Sequence, residues 1–206
     1  MRLRPASECQ LILGKLSGFF AMNGSFSGVF SDLDRVLISA EAIRVRVTRM
    51  AADIAAVYAG RTITVVVLMD GALFFVADLL RQIDLPVRLI TLSASSYHGG
   101  TQSSGEVRVN WPDLTELAGQ EVLLLDDILD TGLTLDVLRR HLRELNPASL
   151  KIGVLLSKTR ERKAEVPVDF LGFEIEDEFV VGYGMDYQGR FRNLPCIGIL
   201  NPTPEA

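Results

Sequence analysis

Residues 122–135 read VLLLDDILDTGLTL. An unbroken apolar run ends in paired carboxylates, Asp126 and Asp127. Two apolar residues follow, then Asp130, Thr131, Gly132, Leu133 and Thr134, and a helical pattern takes over. The apolar run reads as a strand buried on both faces, the arrangement of a parallel sheet covered by helices. In an open α/β sheet, ligands bind beyond the carboxyl ends of the strands. A turn rich in Asp, Thr and Gly at a helix N-terminus offers free backbone N–H groups and hydroxyls, which suit a phosphate. Three carboxylates would repel a bare phosphate. They fit hydroxyls, or a hard cation such as Mg²⁺ that takes oxygen ligands. A sugar phosphate satisfies both demands, with hydroxyls at Asp126 and Asp127 and its phosphate at the turn. A helix N-cap needs only one such residue, whereas 126–134 holds five Asp and Thr residues.

Outward from this stretch, strand and helix patterns alternate. Ser39 is a fair N-cap, with Glu41 in the first turn. Ile43, Val47, Met50, Ala51, Ile54 and Tyr58 then recur at steps of three and four up to Gly60, which predicts a helix. Residues 63–68 (ITVVVL) read as a buried strand, 72–83 as a helix and 87–93 as a strand. The stretch 95–105 (SSYHGGTQSSG) is glycine, serine and threonine for the most part, a mobile loop by composition, and 106–111 reads as a strand leaving it. After the strand at 121–125 comes a polar turn (DDILDTG). A helix at 135–145, a strand at 150–156 and short strands at 170–175 and 179–181 follow. The pattern predicts one α/β domain over 33–206, with a mostly parallel central sheet flanked by helices. Residues 1–32 read as an N-terminal extension. Their apolar stretch is broken by Gly14, Lys15 and Gly18, and no small-residue cleavage site follows, so a cleaved leader is not expected.

Composition bounds the function. The chain has 206 residues, 48% of them hydrophobic and 23% charged, and a net charge of -5. That composition excludes a disordered or fibrous protein. Nucleic-acid binding would need a local basic patch against that net sign, so no nucleic-acid partner is expected. No apolar run is long enough to span a bilayer, so no membrane partner is expected. Cys9 and Cys196 stand in no metal-ligand spacing and fit a reducing, cytoplasmic setting. Neither G-x-x-x-x-G-K-[ST] nor G-x-G-x-x-G occurs. His98 falls in the glycine-rich loop and reads as solvated. Lys158 follows the apolar run IGVLL and so sits at a strand's carboxyl end.

The segment 126–134 closely resembles the phosphoribosyl-pyrophosphate signature of type I phosphoribosyltransferases. SSY at 95–97, LLSKTR at 155–160 and VDFLGFEIEDEFVVGYGMDYQGRFRNLP at 168–195 resemble the hypoxanthine–guanine branch of that family. The resemblance runs in order over about 33–200. It implies the type I phosphoribosyltransferase fold with a small base-binding hood. It also implies transfer of a phosphoribosyl group to N9 of a 6-oxopurine, Mg²⁺ as cofactor, and a homodimer or homotetramer.

The resemblance implies roles residue by residue. Asp126 and Asp127 hold the ribose hydroxyls, partly through metal. Asp130, Thr131, Gly132, Leu133 and Thr134 cradle the 5′-phosphate, and Asp130 is also the catalytic acid/base at purine N7. Lys158 donates to the 6-oxo group; a cation suits an oxygen and repels an amino group, which separates hypoxanthine and guanine from adenine. Phe179 stacks on the base, Val180 meets its edge, and Asp186 adds a metal contact beside them. Arg192 and the backbone of Met69, Asp70 and Gly71 take pyrophosphate, for which a planar guanidinium is well shaped. Ser96 and Tyr97 belong to a loop that folds over the site and excludes water. At 70 the chain departs from the family, which has Lys or Arg there. The alternatives are a transferase for another base, or a nucleotide-sensing regulator on the same fold.

Overall fold

The computed structural model describes residues 33–95 and 108–200. The expected extension at 1–32, and Ser96 and Tyr97, lie outside the described residues. Chain order is β1 (Arg35–Ile38), α1 (Ala40–Val57), β2 (Ile63–Met69), α2 (Leu73–Leu80), β3 (Val87–Ser95), β4 (Arg108–Asn110), β5 (Glu121–Leu129), α3 (Leu133–Glu144), β6 (Ser149–Lys158), β7 (Phe170–Ile175), β8 (Val180–Val181) and β9 (Ile197–Ile199).

The main sheet has the order β4-β3-β2-β5-β6-β7. Every neighbouring pair is parallel except β3 and β4, so an antiparallel strand forms one edge. Successive side chains of a strand point to opposite faces. In β2 and β5 both faces are buried: Val65, Val67, Leu123 and Leu125 join one apolar cluster, while Val66, Val122 and Leu124 join the other. That is why these strands are continuously apolar, and each such side chain contributes roughly 1.5–3 kcal/mol by leaving water. α1 buries Ile43, Val47, Met50, Ala51 and Ile54, and Ser39 Oγ accepts from Ala42 N at 3.2 Å as its cap.

Several boundaries differ from the sequence reading. β5 does not stop at 125: it runs through both carboxylates to Leu129, because Asp126, Ile128 and Leu129 stay paired with Val154, Leu156 and Ser157 of β6. Ladder bonding outweighs the poor strand preference of Asp, and the true turn shrinks to 130–132. β6 runs on to include Lys158. α2 ends at Leu80 rather than 83, since Gln82 N and Ile83 N bond three residues back, to Leu79 O and Leu80 O. The strand expected at 106–111 is described only over Arg108–Asn110.

β1 and β9 were not read from the sequence. With β8 they form a second, antiparallel sheet of order β1-β9-β8. Arg35 pairs with Ile199, so the two ends of the described chain close on one another. This small sheet is the hood expected over the strand ends. No helix among the described residues is long and apolar enough to cross a membrane.

Candidate active site

The end of β5 carries the acid pair. Asp126 is only 5% exposed and Asp127 is partly buried. Asp126 Oδ1 accepts from Asp127 N at 3.0 Å, and Asp127 Oδ1 accepts from Ile128 N at 2.9 Å. Burial pushes the Asp126 carboxyl well above its ordinary value, and the adjoining Asp127 adds to the rise. Burial also raises Asp127, against the backbone N–H bonds and Arg192, which favour its charged form. Two carboxyls this close titrate as a pair.

Beyond the pair the chain turns at 130–132. Gly132 has φ +83°, and a Cβ there would lie 2.1 Å from Ala164 O, so only glycine fits. Thr131 O accepts from Lys163 N at 3.0 Å and Ala164 N at 3.2 Å, which clamps the turn from behind. α3 then starts at Leu133, its first-turn N–H groups directed toward the turn. A cavity of about 320 Å³ opens here, lined by Leu68 and by residues of 126–135, among them Asp126, Asp127, Asp130, Thr131, Gly132 and Thr134.

A second cavity of about 340 Å³ shares Asp127, Ile128 and Asp130 with the first. Its other walls are Gly71, Lys158, Phe179, Val180, Met185, Asp186 and Arg192. Phe179 is 43% exposed and meets Tyr187 edge to face, centroids 5.5 Å apart. It is therefore not a core residue, unlike fully buried Val181. Lys158 Nζ lies 3.4 Å from Asp130 Oδ2 and 3.3 Å from Asp177 Oδ1. Arg192 Nη1 donates to Gly184 O at 2.6 Å, and its Nη2 pairs with Asp186 Oδ1 at 2.7 Å. Asp186 Oδ2 also accepts from Gly189 N at 2.8 Å.

The loop after β2 joins these parts. Its Met69–Asp70 peptide is cis. A Cβ on Gly71 would meet Asp127 Oδ2 at 1.9 Å, and one on Gly184 would meet Gly71 O at 1.9 Å. Gly71 is thus wedged between the acid pair and the hood: a side chain at Gly184 would run into backbone, and one at Gly71 would displace the Asp127 carboxylate. Asp70 itself is exposed, and Gly71 supplies this loop's wall of the second cavity. A further cavity of about 510 Å³ between α1, α2 and the hood is lined chiefly by apolar side chains such as Ile43, Phe74 and Leu194, and contains none of the strand-end residues.

The structure gathers most of the residues singled out in the sequence. It does not converge Asp126, Asp127 and Asp186 on one point: among the described residues no three His, Cys, Asp or Glu side chains are grouped to cage a metal. Two groups escaped the sequence reading. Arg160 and Asp177 flank Lys158 and Asp130, and Gly184 backs the loop at 71. The signal for Arg160 was its place two residues after Lys158, on the same strand exit.

The family model of the phosphoribosyl transferase domain matches residues 37–188. The chain belongs to the phosphoribosyl transferase family. Among curated relatives, it is 42% identical over 172 residues to the hypoxanthine-guanine phosphoribosyltransferase of Bacillus subtilis, covering 84% of this chain and 96% of that one. It is 44% identical over 166 residues to the hypoxanthine phosphoribosyltransferase of Haemophilus influenzae, covering 79% and 93%. The crystal structure of a hypoxanthine phosphoribosyltransferase from Staphylococcus aureus superposes with a TM-score of 0.80 at 38% identity, covering 86% of this chain and 97% of that one.

Proposed function

We propose that this phosphoribosyltransferase moves the 5-phosphoribosyl group of phosphoribosyl pyrophosphate to N9 of hypoxanthine, and also of guanine, releasing pyrophosphate in purine salvage. The observation that carries the reading is the pairing of Lys158 with Asp130 at 3.4 Å, where the two cavities share a wall. A base in the hood cavity then has a cation at its 6-oxygen and a carboxylate at N7.

The turn cavity takes the 5′-phosphate on the N–H groups and hydroxyls of Asp130–Thr134, and its ribose hydroxyls donate to Asp126 and Asp127. The base lies on Phe179, with its edge on Val180. As N9 attacks C1′, the bond from C1′ to the pyrophosphate oxygen breaks and the N7 proton passes to Asp130. Arg192 and the amides of the Met69–Gly71 loop face the departing pyrophosphate, and positioned donors of this kind stabilise developing negative charge.

The donor set suits Mg²⁺. Asp126 and Asp127 are hard oxygen ligands, and burial raises both carboxyls, an effect that a bound cation would oppose by favouring their charged forms. Mg²⁺ usually takes one or two carboxylates together with substrate phosphates and water, so the lack of a full protein cage is no obstacle. Asp126 and Asp127 would hold it, and it would neutralise charge on the leaving group.

The test is a spectrophotometric assay of hypoxanthine, guanine, xanthine and adenine with phosphoribosyl pyrophosphate and Mg²⁺. Turnover of hypoxanthine and guanine, with adenine at least about tenfold poorer in kcat/KM, is expected from a hydrogen bond to a charged group. Preferential use of adenine would overturn the reading.

A further inference from the structure

Lys158 is under competing demands. To read a 6-oxopurine its ammonium must turn to the base, yet two carboxylates, Asp130 and Asp177, already hold it at 3.4 and 3.3 Å. Arg160 resolves the competition. Its Nη1 lies 3.0 Å from Asp130 Oδ1 and 3.2 Å from Asp177 Oδ1, so each carboxylate touches both cations and the ring of four groups is neutral. Thr159 sits between the two cations, its backbone N–H 2.8 Å and its hydroxyl 3.2 Å from Ile175 O at the end of β7. That anchor fixes the strand exit from which both cations extend. The Lys158 side chain is 11% exposed against 36% for Arg160, so Lys158 faces the cavity and Arg160 its rim. Of these two cations, Lys158 lines the hood cavity and Arg160 does not.

We propose that Arg160 is a positioning residue for base recognition: it satisfies Asp130 and Asp177 so that Lys158 can leave them for the base oxygen. The inference rests on the roles given above to Lys158 and Asp130. Without Arg160 the ring carries one excess negative charge, and both carboxylates fall to Lys158 alone. Binding a base would then require breaking both of its ion pairs with nothing to replace them. The guanidinium can serve two oxygens at once, which suits it to this place. Ion pairs this exposed add little to stability, so loss of Arg160 should act on the base and hardly on the fold.

The experiment measures kcat, both KM values and the melting temperature for wild type, Arg160→Gln, Arg160→Lys and the double variant Arg160→Gln/Asp177→Asn. Arg160→Gln should raise the hypoxanthine KM roughly tenfold while the phosphoribosyl-pyrophosphate KM stays within about twofold and melting is unchanged. Arg160→Lys should recover most of the loss, because it restores the charge. The double variant should return the hypoxanthine KM to within about threefold of wild type, since removing one carboxylate releases Lys158. A hypoxanthine KM unmoved in Arg160→Gln, equal rises in both KM values, or a double variant no better than the single one would overturn the inference. A wild type that transfers nothing to hypoxanthine would overturn the functional reading and this inference with it. A wild type with normal turnover beside an unaffected Arg160→Gln overturns only the inference.

Discussion

Apart from Leu68, the walls of the turn cavity all come from 126–135, a single strand end, turn and helix start. The hood cavity takes its walls from the loop after β2, the ends of β5 and β6, β8 and the turns that follow it. One compartment is local, and its geometry follows from a glycine at φ +83° and a backbone clamp from residues 163–164. The other is assembled from distant segments and held by close backbone approach, as at Gly71 between Asp127 and Gly184. A local site tolerates distant change, whereas an assembled one depends on each contributor. The two share Asp127, Ile128 and Asp130, so a change at that wall should strike the transfer between sugar and base, while changes elsewhere should separate sugar binding from base binding.

The largest effect belongs to one of the shared residues, Asp130. Asp130→Asn should lower kcat by roughly 10²–10⁴-fold, the usual yield of general acid–base catalysis, with ribose 5-phosphate binding nearly unchanged because the amides and hydroxyls remain. A kcat loss under about fivefold would remove Asp130 from proton transfer. Lys158→Ala comes next. A hydrogen bond to a charged group is worth about 1.5–3 kcal/mol, so kcat/KM for hypoxanthine and guanine should fall roughly 10–150-fold with the sugar KM steady. A matching rise in the sugar KM would erase the separation between compartments.

Phe179→Ala should cost roughly 1–3 kcal/mol of base binding, as at other stacking platforms, and Phe179→Tyr should be tolerated. Because Phe179 is 43% exposed, the melting temperature should hold in both variants. A drop in melting with equal damage from Ala and Tyr would mark it as a packing residue. The smallest effect is expected at Asp70, which is exposed while Gly71 lines the cavity. Asp70→Asn should leave the phosphoribosyl-pyrophosphate KM and pyrophosphate inhibition within about threefold. Two like charges 4–5 Å apart repel by roughly 3–4 kcal/mol at an effective dielectric near 20, so pyrophosphate binding tightened by about tenfold or more would show the carboxylate facing the ligand.

The same contrast explains what could be read from the sequence. The turn cavity was legible because strand, acids, turn and helix lie consecutively in VLLLDDILDTGLTL and their spacing states the geometry. Lys158 was legible because IGVLL marks a strand whose end it occupies. β1 and β9 were not, since each is only a few residues long and becomes a strand by pairing with a partner at the far end of the domain, Arg35 with Ile199. Gly184 was hidden for a related reason: its need for φ +108° and for close approach to Gly71 O arises in the assembled hood. Asp177 sits in an acidic stretch, EIEDEF, that reads as solvated, and only the fold brings it 3.3 Å from Lys158.

The central claim is that one cavity holds a ribose phosphate while the other, through Lys158, reads a 6-oxopurine. Calorimetric binding of inosine monophosphate and adenosine monophosphate to the wild-type protein tests it directly, because the two ligands fill both compartments and differ only at C6 and the adjoining N1, the edge that Lys158 reads. Inosine monophosphate should bind at least about tenfold tighter, the lower end of a hydrogen bond to a charged group. Equal affinity for the two nucleotides, or a preference for the 6-amino one, would contradict the account.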